Sequence, residues 1–232
     1  MSENKQQPQQ AKELSVTYKI GDNEIKLTPS IVQEFIVGSD SQISIQEFKF
    51  FTELCKVRKL NPFLKEAYCI KYGSKPAAIV VGKDAIVKRA NLHPQYDGKE
   101  SGVIVIGANG ETLERHGCFV APDETLVGGW AKVHRKDREN PEYMSVSLSE
   151  VVGKKSDGSV NSTWANRSAT MVEKVAKVRA LREAFVEDLG GMYDADEYSA
   201  EAPLIKQEYV DMESTGCVLN VVDVEKFDIS DL

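Results

Sequence analysis

Short apolar stretches alternate with polar punctuation along the chain, and the spacing within each stretch sets the element it predicts. Residues 1–13 are Gln-rich and polar, so they are expected to be disordered. Residues 16–20 and 24–27 flank Gly21-Asp22-Asn23 as the arms of a hairpin. Thr28-Pro29 is a cap followed by a first-turn proline, which predicts a helix to about Val37, stopped by Gly38. Ser44-Ile45-Gln46-Glu47 is a capping box. It opens a second helix to about Lys59, with Ile45, Phe48, Phe51, Thr52 and Cys55 on one face, and Asn61-Pro62 breaks that helix.

The middle of the chain reads as strands. Residues 66–72 and 77–81 are predicted to pair across Gly73-Ser74-Lys75, followed by a short helix over 83–90. Residues 102–106 and 112–120 flank Ala108-Asn109-Gly110, whose Asn-Gly step is a strong hairpin signal. Residues 126–134 and 143–148 form a second hairpin around the loop 135–141, and residues 152–162 are rich in Gly, Ser and Lys, as a loop is. A long helix is predicted from a Ser168 cap to Phe185, and Gly190-Gly191 closes the body. Helices, then antiparallel strands, then a helix make an α+β fold: a small antiparallel sheet backed by helices. The predicted organisation is a disordered N-terminus (1–13), one body (14–193) and an acidic, flexible tail (194–232).

At 232 residues and 41% apolar content the chain has material for a core without staples. It has no apolar run of membrane-spanning length, and its first residues lack the apolar segment of a signal peptide. Cys55, Cys69, Cys118 and Cys217 are far apart, which argues against a disulfide framework or zinc site and fits a reducing compartment. No phosphate-binding Gly-rich loop, nucleophile elbow or HExxH motif occurs. Asp84, Asp123, Glu124 and Glu150 lack ligand-like spacing, so a metal-dependent nuclease is a minor alternative. No catalytic residue, metal or cofactor is expected.

The net charge of −7 hides an asymmetry: residues 1–185 carry 27 Lys and Arg against 23 Asp and Glu, whereas residues 186–232 carry 2 against 13. A basic body with an acidic tail suits a polyanion ligand. Three cation groups stand out. The loop His134-Arg135-Lys136-Asp137-Arg138 puts Arg135, Lys136 and Arg138 at one hairpin tip, with Lys132 on the strand before it. Their mutual repulsion is relieved by a phosphate chain or, alternatively, by solvent. On the helix 168–185, Met171, Val175, Val178, Leu181 and Phe185 form an apolar arc, and Ala176, Ala180 and Ala184 a small-residue face. Arg182 falls within the arc, Lys174 at its edge, and Lys177 and Arg179 on its flanks; they either snorkel to solvent or line an anion groove. Lys83, Lys88 and Arg89 form the third group, on the short helix. Trp130 and Trp164 read as core residues rather than base-stacking platforms.

Three stretches resemble the phage recombination proteins of the Bet type, in the RecT/Redβ family. They are KLNPFLKEAYCIKYGSKPAAIVVGKDAIVKRA (59–90), AKVHRKDRENPEYMSVSLSE (131–150) and WANRSATMVEKVAKVRALREAFVEDLGGMYDADE (164–197). The resemblance implies a fold related to the ring-forming strand-annealing proteins. It implies a protein that binds single-stranded DNA, forms a homo-oligomeric ring or helical filament, and pairs complementary strands through an annealed duplex intermediate without ATP. Its implied partners are a phage 5′→3′ exonuclease and the host single-strand binding protein, and its implied place is the cytoplasm of a bacterial host. It implies DNA-binding roles for Lys65, Lys88, Arg135, Lys136, Arg138 and Arg182, with Lys174 and Lys177 on the matching helix.

Annealing must overcome phosphate repulsion and leave base edges free, so the protein should hold the backbone and not sandwich the bases. A groove of Arg182, Lys174 and the 135–138 loop, poor in aromatics, meets that need. A protein that only coats single strands is the alternative reading. The acidic tail is expected to compete with DNA for the groove or to dock partners. Deletion of residues 198–232 is therefore expected to tighten DNA binding at low salt; unchanged affinity in a titration at low ionic strength would count against competition.

Overall fold

A computed structural model describes residues 14–37, 42–71, 77–155 and 157–194. The expectations for residues 1–13, for Gly38, for the turn Gly73-Ser74-Lys75 and for residues 195–232 lie outside the described residues. Strands β1 (Val16–Ile20) and β2 (Asn23–Leu27) pair antiparallel around a turn at Gly21-Asp22. Thr28 Oγ1 accepts the Ile31 amide at 3.3 Å and opens α1 (Pro29–Ile31). The helix then widens into a π-helical turn over Val32–Val37 instead of continuing as predicted.

Helix α2 (Ile45–Val57) starts on the predicted capping box: Ser44 Oγ accepts the Glu47 amide at 3.1 Å, and Glu47 accepts the Ser44 amide at 2.7 Å. Phe48, Phe51, Thr52 and Cys55 are buried as expected, but Ile45 is 63% exposed. Ile45 is the first residue of the helix, a turn ahead of Phe48, and overhangs the edge of the core. Asn61 then caps a single 3-10 turn, Pro62–Leu64, which leads into β3 (Ala67–Ile70) and its antiparallel partner β4 (Ala78–Val81).

Helix α3 (Lys83–Leu92) leads to the main sheet. Its strands are β5 (Tyr96–Ile106), β6 (Thr112–His116), β7 (Thr125–Arg135) and β8 (Glu142–Ser147), all antiparallel in the order β6-β5-β7-β8. β5 is longer than predicted. β6 stops at His116 because Gly117 turns the chain at φ 73°. A short helix, α4 (Leu148–Val151), follows β8.

The long helix α5 (Ser162–Ala184) covers one face of this sheet. It begins earlier than predicted, with Asn161 accepting the Trp164 amide, and kinks at Arg167 (φ −142°, ψ 35°). Ser168, predicted as the cap, donates to the Trp164 carbonyl at 2.7 Å just after the kink. The predicted arc and alanine face are both buried, as are Trp130 and Trp164. A Cβ at Gly129 of β7 would lie 2.6 Å from the Val172 carbonyl, so α5 packs directly on the strand backbone. Helix α6 (Val186–Leu189) and the segment to Asp194 finish the described chain. The architecture is α+β, as the pattern predicted.

Glu47 also ties α2 to the small sheet, accepting from Lys71 Nζ at 2.8 Å and from the Ala77 amide at 2.8 Å. Burial alone would raise its pKa, but the Lys71 ammonium and the Ser44 and Ala77 amides outweigh that and hold it at about 2. The folded pKa lies below the unfolded one, so the stabilisation is complete above about pH 4.5 and fades as pH falls towards 2. Glu47→Gln is expected to lower stability at pH 7 by about 1–3 kcal/mol. In urea titrations at successive pH values the variant should also lose less stability on acidification than the parent chain.

Candidate nucleic-acid interface

Cations from separate parts of the chain meet at one place. Lys65 follows the 3-10 turn, Lys83 and Lys88 lie on α3, and Lys174 projects from α5. Together with Leu64, Glu66, Tyr68, Asp84 and Asp194 they line a cleft of about 600 Å³. Local geometry brings the walls together. Lys65 sits in the left-handed region (φ 59°, ψ 30°), which costs an L-residue roughly 1–2 kcal/mol. That conformation turns its carbonyl onto Gly82, where a Cβ would lie only 2.6 Å away. The Gly82 amide donates to the Glu66 carbonyl at 3.0 Å. The first turn of α3 is thereby fixed against the Lys65–Glu66 backbone.

Three of these lysines face carboxylates of the same wall. Lys88 Nζ contacts Glu66 at 2.7 Å, Lys83 contacts Asp84 at 3.4 Å, and Lys174 contacts Asp194 at 2.5 Å. Glu66 also accepts the Asn61 amide at 2.8 Å. Lys65 forms no ion pair among the described residues. The first two pairs have an exposed partner and are individually weak, about 0–1 kcal/mol. The Lys65, Lys83 and Lys88 ammonium groups keep further donors for an anion.

The other predicted cations are placed differently. Arg135 turns inward: it donates to Asp137 at 2.8 and 2.7 Å, bonds the Ala184 carbonyl at the end of α5, and stacks 5.0 Å from the centre of the Phe185 ring. Its neighbourhood holds the Asp137 carboxyl at about 2. The repulsion expected at the hairpin tip is thus relieved from within the chain, and Lys136 and Arg138 face solvent. Lys132 lies on the sheet face opposite α5, over the rings of Trp130 and Tyr143 at 5.1 and 5.7 Å. Arg89 bonds the Arg58 carbonyl at the end of α2, and burial pushes its pKa down. Lys177 pairs with Glu173 at 2.6 Å, and Glu173 also accepts from Ser101 at 2.5 Å. Arg179 approaches Glu150 at 3.7 Å. Arg182 donates to the Met192 carbonyl at 3.3 Å and lies 4.4 Å from the centre of the Tyr193 ring.

Of the predicted cations, Lys65, Lys88 and Lys174 therefore converge in the cleft. Lys136 and Arg138 remain at the tip, and Arg89, Arg135, Lys177, Arg179 and Arg182 are engaged with the chain itself. Sequence reasoning missed Tyr68, Glu66 and Asp194 as cleft residues. Asp194, the first residue of the expected tail, is only 4% exposed. The Lys-Glu step at 65–66 and the Tyr-Asp step at 193–194 lie inside the family-like motifs and were the available signals. Among the described residues no three His, Cys, Asp or Glu gather as metal ligands, and no helix is long and apolar enough to cross a membrane.

No curated protein matches the sequence. The sequence model of the RecT family matches residues 25–210, which spans every cleft residue. Covering most of the chain, that match carries single-stranded DNA binding and annealing in recombination as the family's activity. The chain belongs to the RecT family.

Proposed function

We propose that this chain anneals complementary single strands in phage recombination without ATP, gripping the sugar-phosphate backbone in the Lys65–Lys83–Lys88–Lys174 cleft. The observation that carries the reading is the convergence of these lysines from three separate elements on one open cleft. Among the described residues, Tyr68 is the single aromatic in its lining. Such a surface neutralises phosphates without demanding a particular base, and it leaves base edges available to a second strand. A binder that works by stacking would present an aromatic platform, and Trp130 and Trp164 are instead buried in the fold. Pairing energy comes from the strands, so the protein supplies no covalent chemistry.

In this reading Lys136 and Arg138 extend the contact at the hairpin tip. Copies of the chain assemble as a ring or filament so that one strand lies along many shallow sites. A 5′→3′ exonuclease supplies the strand, and the host single-strand binding protein meets the complex in the bacterial cytoplasm.

Two complementary dye-labelled oligonucleotides mixed with the full chain in the absence of ATP test the proposal. Pairing should run faster than the spontaneous reaction, and the strands should stay intact when magnesium is added. Lys65→Ala/Lys88→Ala should weaken binding at low salt by about tenfold or more and flatten the salt dependence by about 1.4, roughly 0.7 per lost phosphate contact. Binding that slows pairing would establish the coating alternative, and strand cleavage the nuclease.

A further inference from the structure

The last described residues do not simply leave the body. Met192 is buried, its amide donates to the Leu189 carbonyl at 3.0 Å, and its carbonyl accepts from Arg182. The Tyr193 carbonyl accepts the Val81 amide at 2.8 Å, which extends the edge of the β3–β4 sheet by one bond. The Tyr193 ring lies beneath the Arg182 guanidinium. These contacts deliver Asp194 to the cleft wall, where Oδ1 sits 2.5 Å from Lys174 Nζ. Both partners are shielded, with Asp194 at 6% and Lys174 at 19% side-chain exposure.

We propose that Asp194 is an internal phosphate surrogate, and that the segment 191–194 is a self-inhibitory latch which a DNA strand must displace to reach Lys174. The proposal rests on the reading of the cleft as a backbone-binding site. A carboxylate and a phosphodiester offer an ammonium the same thing: a negative charge shared over two oxygens at hydrogen-bond distance. Only one of them can occupy the position at Lys174. The latch is short: its Tyr193 carbonyl is held to the edge of β4 by the Val81 amide, and its Asp194 carboxylate is held at the cleft by Lys174. The chain that follows it is acidic, with ten Asp and Glu against two Lys over residues 195–232. A strand long enough to engage Lys65, Lys83 and Lys88 together gains contacts that the latch lacks. Short strands and chance anions do not, so the device favours extended single strands over small phosphates.

The test uses the full chain and an oligo(dT) probe, which cannot pair with itself. Asp194→Asn should bind the probe about tenfold more tightly at low salt, the factor expected for one displaced charge-assisted bond. Adding Lys174→Ala to that variant should remove the gain. In the unmodified chain, the Val81 amide should exchange with solvent faster once the probe is bound, because Tyr193 has let go of it. That measurement stands even if Asp194→Asn does not fold. Equal or weaker binding by a folded Asp194→Asn, or slower Val81 exchange in the complex, would overturn the latch. If Lys65→Ala/Lys88→Ala binds the probe as the parent does, the cleft reading has failed instead. If that variant loses binding while Asp194→Asn changes nothing, only the latch falls.

Discussion

At Gly129 the backbones of β7 and α5 approach so closely that a single methyl group would not fit between them. That contact fixes both the distance of the helix from the sheet and its rotation about its own axis. With Val172 seated on the strand, Val175, Ala176, Val178 and Leu181 are committed to the core. The charged residues of the same helix must then leave by its flanks. Lys174 emerges towards the cleft, Lys177 towards Glu173, and Arg179 towards Glu150. A close-packed interior transmits a change of even one methylene, so the direction of each cation is set by the packing beneath it.

The same packing explains why so many positive charges carry an intramolecular partner. An ammonium or guanidinium that is half withdrawn from water loses hydration, and a carboxylate or carbonyl nearby replaces it. Arg58, Arg89 and Arg135 show the carbonyl solution, each bonding the end of a helix where backbone oxygens lack partners. Lys88, Lys174 and Lys177 show the carboxylate solution. A cation's presence in a family motif therefore does not say whether it faces a ligand or holds the fold.

Much of the fold was legible from local chemistry. The Ser44–Glu47 box, the Asn109-Gly110 turn and the apolar arc of α5 each act within a few residues, and each appears where its pattern put it. Element ends were less legible. Asn161 and Ser168 are both credible caps, and the choice between them depends on a kink at Arg167 that the pattern does not carry. The partners of the cations were not legible at all. Lys88 meets Glu66, Lys174 meets Asp194 and Arg135 meets Ala184 across 20 or more residues, and only the folded chain selects those pairings. Asp194 shows the difficulty best. In sequence it is one acid among many in an acidic segment, whereas in the structure it is seated against Lys174.

The inward turn of Arg135 has a mechanical consequence. By bolting the hairpin tip to the end of α5 and to Phe185, it makes the protruding arm and the helix one stiff bracket. Lys174 lies ten residues before Ala184, so the cleft lysine and the point where Arg135 grips α5 stand about 15 Å apart along the helix axis. A bracket of fixed span behaves as a gauge: it holds Lys174 and the bolted end of the hairpin at one separation, whatever the side chains at either end contact.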